Sequence, residues 1–210
     1  MKILGIDTTK RSAKIFIIDT KEIEESTYLE LNENIKHSEG LFLHIEKLLM
    51  ESNVNISSLD GFACVVGPGS FTGIRVGMAT IKGLNKVLNK SVVSMNSFEV
   101  LSKNIKNGLI LLNSTMTSCY YARVKNSELV ETGVVDKKDI PQLAQGEEIV
   151  ILKEEQESIG VEYNNYKVVD TLSKLYINCV IDKLNKDQFG EFAPYYLQLS
   201  QAERNMGNVE

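Results

Sequence analysis

The chain has 210 residues, 43% of them apolar and 24% charged, which is ordinary globular composition and enough for one sizeable core or two modest ones. Its net charge of −5 is unevenly placed: residues 1–104 carry twelve basic and twelve acidic side chains, and residues 105–210 carry eleven and sixteen. Neither half has the basic stripe that binding a phosphate backbone needs, which argues against unaided capture of nucleic acid, and no apolar run approaches the roughly eighteen residues of a membrane span.

The N-terminal MKILGIDTTK runs straight into alternating structure without a cleavable signal pattern, so the expected location is cytoplasmic. Residues 2–7 and 13–18 read as strands joined by the polar turn TTKRS, and 26–31 as a third strand. Leu41, Phe42, Ile45, Leu48 and Leu49 recur at helical spacing after Ser38, a residue suited to an N-cap. The run 61–66 is a short apolar strand. A glycine-rich loop leads from it into a helix over 74–88, then a strand over 91–94 and a helix over 97–104.

A second cycle follows: strands LILLN, SCYYARV and ELVETGVV, a helix over 139–145 and a strand EIVIL. After a weakly patterned stretch, 170–184 reads as a helix, and the tail from 192 is expected to be largely irregular. The order β-β-β-α-β-α-β-α, followed by a smaller β-rich copy, predicts two related α/β domains, 1–104 and 105–193, with a tail over 194–210.

The loop GPGSFTGIRVG at 67–77 has the look of a phosphate turn, but its chemistry does not match one. A Walker loop ends in Gly-Lys-Ser/Thr, because the lysine reaches phosphate and the hydroxyl holds magnesium; here Gly73 is followed by Ile74 and Arg75. The dinucleotide fingerprint fails at its third glycine, where Thr72 stands. Two readings stay open at this point. Ser70 or Thr72 caps the helix and free N–H groups near Gly73 accept an anion, or the glycines only supply unusual backbone angles. Gly73, Gly77 and Ala79 or Thr80 form a small-residue strip suited to close packing, within the chain or between chains. Gly77 and Gly83 each cost a helix interior about 1 kcal/mol relative to alanine, so something should compensate.

Cys64, Cys119 and Cys179 lie 55 and 60 residues apart with no CxxC pair, and read as buried small hydrophobes in a reducing compartment. His37 and His44 supply no ligand cluster, and no metal site is expected. Asp7, at a strand end before Thr8 and Thr9, either binds a magnesium-bridged phosphate or accepts N–H bonds within its own turn. Arg75 has no basic neighbour in the loop and is expected to contact protein.

The combination of ILGIDTT at 3–9, HSEGL at 37–41 and above all VGPGSFTGIRVG at 66–77 resembles the TsaB family, also called YeaZ, over nearly the whole chain. Pro194, Tyr196, Leu197, Ala202 and Glu203 resemble that family's closing elements. The resemblance implies a two-domain actin-like ATPase (ASKHA) fold with a reduced second domain, and a non-catalytic companion that binds and stabilises the catalytic subunit TsaD. That assembly transfers a threonylcarbamoyl group to an adenosine of ANN-decoding tRNAs. It further implies contact with the ATPase TsaE in the assembled complex, with tRNA only indirectly, and self-pairing as a homodimer when TsaD is absent. No cofactor is expected, ATP or ADP belonging only to the assembled interface. The partner-binding residues implied are His37, Ser38, Leu41, Phe42, Ile45, Gly69, Ser70, Phe71, Thr72, Gly73, Arg75 and Gly77, with Asp7, Thr8 and Thr9 as a residual nucleotide site. Where the family commonly carries Asp-Ala-Arg, this chain has Asn113, Ser114 and Thr115. The competing reading is a stand-alone enzyme, an ATPase using Asp7 or a hydrolase pairing Ser70 with His37 or His44.

Overall fold

A computed structural model describes residues 1–31, 37–160 and 165–198, apart from the side chains of 37–39. The first half folds as β1 (Lys2–Asp7), β2 (Lys14–Asp19), β3 (Thr27–Glu30), α1 (His37–Glu51), β4 (Gly61–Val65), α2 (Phe71–Leu88), β5 (Ser91–Met95) and α3 (Ser97–Ser102). The second half folds as β6 (Gly108–Asn113), β7 (Ser118–Lys125), β8 (Glu128–Asp136), α4 (Ile140–Ala144), β9 (Ile149–Leu152), α5 (Gln156–Ile159), β10 (Tyr166–Val169) and α6 (Ser173–Asn185).

Each half builds one five-stranded sheet. The orders are β3-β2-β1-β4-β5 and β10-β9-β6-β7-β8. In each, the first three strands pair antiparallel as a meander, and the fourth and fifth add in parallel beside the first. The two sheets are therefore copies of one topology, a duplicated α/β fold as the repeated order of elements predicted. Asp7 and Asn113, each the last residue of the first strand of its sheet, occupy equivalent positions.

Strand periodicity sorts the core into layers. On β1, Leu4 and Ile6 join Ile15, Leu41, Ile45, Ile74 and Met78 on the face covered by α1 and α2. Ile3 turns the other way, into a cluster that spans both halves and includes Phe16, Val65, Phe98, Ile110, Leu112, Tyr176 and Val180. On β6, Ile110 and Leu112 face this shared layer, while Leu109 and Leu111 face Ile140, Ile149 and Ile159 on the far side. One continuous apolar layer thus binds the two sheets.

The structure moves several element boundaries. Ser38 lies inside α1, which begins at His37. Helix α2 begins at Phe71 because Ser70 caps it, its hydroxyl accepting from the Gly73 amide at 3.2 Å. Strand β10 and helix α5 lie in the weakly patterned stretch. Residues Tyr166, Lys167 and Val168 are exposed on an edge strand, so no alternation marks it. The expected tail positions Ala202 and Glu203 lie outside the described residues.

Candidate functional site

Two features carry the chemistry: the crevice at the end of β1, and the outer face of α1 and α2. In the crevice, Asp7 is buried. Its Oδ1 accepts from the Thr9 amide at 2.8 Å and the Thr9 hydroxyl at 2.7 Å, the geometry of an Asx turn. Its Oδ2 accepts from the Tyr176 hydroxyl at 2.6 Å, across a sequence separation of 169 residues. Burial, followed by the nearby Asp7 charge, holds the Tyr176 phenol far above its ordinary range, so it stays a donor.

The glycine loop packs directly on the β1–β2 turn. Thr8 Oγ1 donates to the Gly73 carbonyl at 2.6 Å, and the Ser70 amide donates to the Thr9 carbonyl at 2.8 Å. A Cβ at Gly73 would collide with the Thr8 carbonyl, and one at Gly77 would lie 2.5 Å from Thr8 Oγ1. Gly67 has φ +118°, a conformation that favours glycine. The loop carbonyls are used as well: Gly67 accepts from the Ser97 amide at 2.7 Å, and Pro68 from Ser97 Oγ at 2.9 Å and Lys10 Nζ at 3.3 Å. The Ile74 amide donates to the Ser70 carbonyl at 2.8 Å, so the start of α2 spends its amides at Gly73 and Ile74 internally. The small-residue strip at Gly73 and Gly77 is intramolecular packing, which corrects its assignment as partner surface.

The C-terminal tail makes contacts that its composition did not signal. The Ser94 amide donates to the Phe189 carbonyl at 2.6 Å, and the Tyr195 amide to the Val66 carbonyl at 2.8 Å, so the tail runs along β5 and the loop. Tyr196 stacks on Phe71 with centroids 4.5 Å apart, and its hydroxyl accepts from Arg75 Nε at 3.1 Å. The protein contact expected of Arg75, and the partner role given to Phe71, are met by this chain's own tail. The only advance signal was the Pro-x-Tyr-Leu pattern at 194–197.

Of the remaining expected partner residues, Leu41 and Ile45 are each only 2% exposed, buried under the sheet, and cannot serve as surface anchors. Helical spacing marked them correctly as one face, but that face is the core. Phe42 is 58% exposed and stays a surface residue. Gly69 is half-buried against Thr9, and Ser70 and Thr72 sit at the exposed start of α2. His37 and Ser38 begin α1, and their side chains lie outside the described residues.

Apart from Thr72 and Phe42, the outer face holds residues that were not singled out as partner contacts. Thr72, Val76, Ala79, Gly83 and Val87 recur at three- and four-residue spacing and share one side of α2. Val87 is 85% exposed, and a Cβ at Gly83 would meet nothing within 4 Å. Beside them, Phe42, Leu49, Met50, Val54 and Leu84 line an open groove between α1 and α2. The moderate cost of Gly83 within the helix has no compensation inside the fold.

Ser70 Oγ is committed to its cap, and the His44 ring nitrogen Nδ1 lies 2.7 Å from the Gly40 carbonyl. Among the described residues no group of three His, Cys, Asp or Glu side chains is placed to hold a metal ion. No described helix is long and apolar enough to cross a membrane. In the second half, the buried Glu155 accepts from the Asn113 amide at 3.0 Å, and burial raises its carboxyl above the ordinary range. All three cysteines are free and buried, as their spacing suggested.

A family model described as TsaD: tRNA N6-adenosine threonylcarbamoyltransferase matches residues 33–156, more than half of the chain. The chain is 26% identical over 140 residues to the tRNA threonylcarbamoyladenosine biosynthesis protein TsaB of Buchnera aphidicola subsp. Schizaphis graminum, covering 62% of this chain and 64% of that protein. It is 32% identical over 106 residues to the TsaB of Bacillus subtilis, covering 50% and 44%. The matched segments thus span less than two thirds of these relatives. Among solved structures, YeaZ from Pseudomonas aeruginosa superposes with a TM-score of 0.70 at 16% identity, over 93% of this chain and 99% of that one, a likeness of fold.

Proposed function

The chain belongs to the TsaD family, in its TsaB/YeaZ line, and from that premise we propose that it is a non-catalytic companion subunit that binds and stabilises a TsaD-type threonylcarbamoyltransferase. The observation that carries this reading is the outer face of α1 and α2, where Phe42, Met50 and Val87 are 58%, 75% and 85% exposed around the bare backbone at Gly83. A notch of small residues beside large apolar ones suits close packing of a partner helix. Asp7 and Ser70, on which a stand-alone ATPase or hydrolase would depend, are both committed within the fold, which supports a companion role.

In this reading the chain has no cofactor of its own, and any ATP or ADP belongs to the assembled interface. TsaE and tRNA join through the assembled complex, and the same apolar face pairs two copies when the transferase is absent. The test is reconstitution of threonylcarbamoyl transfer with and without this chain, with light scattering of each mixture. Dependence of transfer on the chain, with a complex of the two proteins and no turnover by the chain alone, is the expected result. ATP or peptide turnover by the purified chain, lost in Asp7→Ala or Ser70→Ala, would overturn it.

A further inference from the structure

The crevice outside the carboxyl ends of parallel strands is where an open α/β sheet ordinarily takes its ligand. Asp7 ends β1 at such a point, beside the parallel strand β4, and is followed by Thr8, Thr9 and Lys10. Yet both of its carboxylate oxygens are satisfied from within the chain: Oδ1 by Thr9 and Oδ2 by Tyr176. Tyr176 comes from α6, in the other half of the molecule. It is completely buried, its ring stacked on Phe16 with centroids 4.6 Å apart and facing Tyr28 at 6.3 Å.

A second tie runs in parallel. Lys14 on β2 is 2% exposed and pairs with Glu154, just after β9 of the second sheet. Its ammonium also donates to Ser12 Oγ at 2.7 Å and lies 3.6 Å from Glu30. Ser12 Oγ in turn lies 3.0 Å from Glu154 Oε2. A buried ammonium with this many oxygens around it holds only while the two halves stay together.

We propose that Tyr176 is a built-in occupant of the cleft between the two sheets, latching it shut so that the chain moves as one rigid body and admits no magnesium-nucleotide. The hydroxyl takes the Asp7 oxygen that a bridging cation or its water would need, and the ring fills the space beside it. At 2.6 Å the bond is in the range of hydroxyl-to-carboxylate hydrogen bonds. This inference does not depend on the identity of the partner that docks on α1 and α2.

The test uses the full chain with Tyr176→Phe and Tyr176→Ala. Tyr176→Phe keeps the ring stack and removes only the latch bond, so it should fold. Its amides at Thr8, Thr9 and Lys10 should exchange hydrogen at least about tenfold faster than in the parent, while those at Ala122 and Val124 stay unchanged. Tyr176→Ala should bind Mg-ATP in calorimetry at concentrations where the parent shows no heat. Parent-like exchange in Tyr176→Phe would overturn the latch, and so would Mg-ATP binding by the parent as tight as by Tyr176→Ala. If Tyr176→Ala fails to fold, the exchange result for Tyr176→Phe decides.

Discussion

The Thr8 carbonyl oxygen lies where a side chain on Gly73 would begin, while the Thr8 hydroxyl donates to the Gly73 carbonyl at 2.6 Å. Helix α2 is thus pressed backbone to backbone against the turn that follows β1. Gly73→Ala should destabilise the fold despite alanine's better helix propensity, because the atom struck is backbone and cannot rotate away. Overpacking of this kind costs about 1–3 kcal/mol. Urea unfolding of the variant should show a lower midpoint, and an unchanged midpoint would mean that the turn yields.

Gly83, nearly three turns further along the same helix, should behave in the opposite way. Nothing lies within 4 Å of the position a Cβ would take. Gly83→Ala should therefore stabilise the isolated chain by up to about 1 kcal/mol, the helix-propensity difference alone. Thermal unfolding of the chain without partner reads this directly.

These two glycines show how much the sequence could disclose. Periodicity placed Gly83 inside a helix over 74–88 correctly, but it left Gly73 in the loop before that helix, which begins at Phe71. What periodicity cannot say is which neighbour covers each side, because Thr8 is 65 residues away in the chain. The same gap explains Leu41 and Ile45: their spacing with Leu48 marks a buried stripe, and the sheet that buries it comes from residues on either side of the helix. The duplicated β-β-β-α-β order was legible because strand and helix periods are local. The Asp7–Tyr176 bond and the tail over Phe71 were not, since no local signal pairs a tyrosine in one half with a carboxylate in the other.

Glu155 gives the stability of the fold a pH dependence with a definite sign. Burial raises its carboxyl in the folded chain above the value of 4.5 it has when free, with Glu154 adding to the rise, while Lys10, Lys14 and the Asn113 amide oppose it. Between 4.5 and the raised folded value, the folded state holds a proton that the unfolded state has released. The contribution of Glu155 to stability is therefore full below 4.5 and falls as pH rises through the folded value. Glu155→Gln should flatten that decline, and its stability relative to the parent should increase from pH 4.5 to 7. Parallel pH profiles in urea unfolding would refute the assignment.

The cysteines should be inert in the native chain. Burial is the largest cause in each case, pushing the Cys119 thiol up to about 11 and Cys179 to about 12, and raising Cys64 as well. Thiolate is the reacting form, so a disulfide reagent at pH 8 should label none of them rapidly. Three equivalents should react once the chain is unfolded in denaturant. Fast labelling of one thiol in the native state would show that its region opens.

Two positions three residues apart on α1 separate docking from folding. Ile45 is 2% exposed in the core and Phe42 is 58% exposed at the groove. Ile45→Ala removes buried methylenes and should cost the isolated chain about 2–5 kcal/mol. Phe42→Ala should leave thermal unfolding nearly unchanged, since a largely exposed ring contributes little to the free chain. If the α1–α2 face receives the transferase, Phe42→Ala should weaken that complex by tenfold or more, as a central apolar anchor does when truncated at a cost of about 1.4 kcal/mol or above. Val87→Asp, at an 85% exposed site on the same face, should do so more strongly by placing a charge against the partner's apolar surface. Titration calorimetry of both variants against the transferase reads the loss. Undiminished affinity in the two variants together would move the docking site off this face.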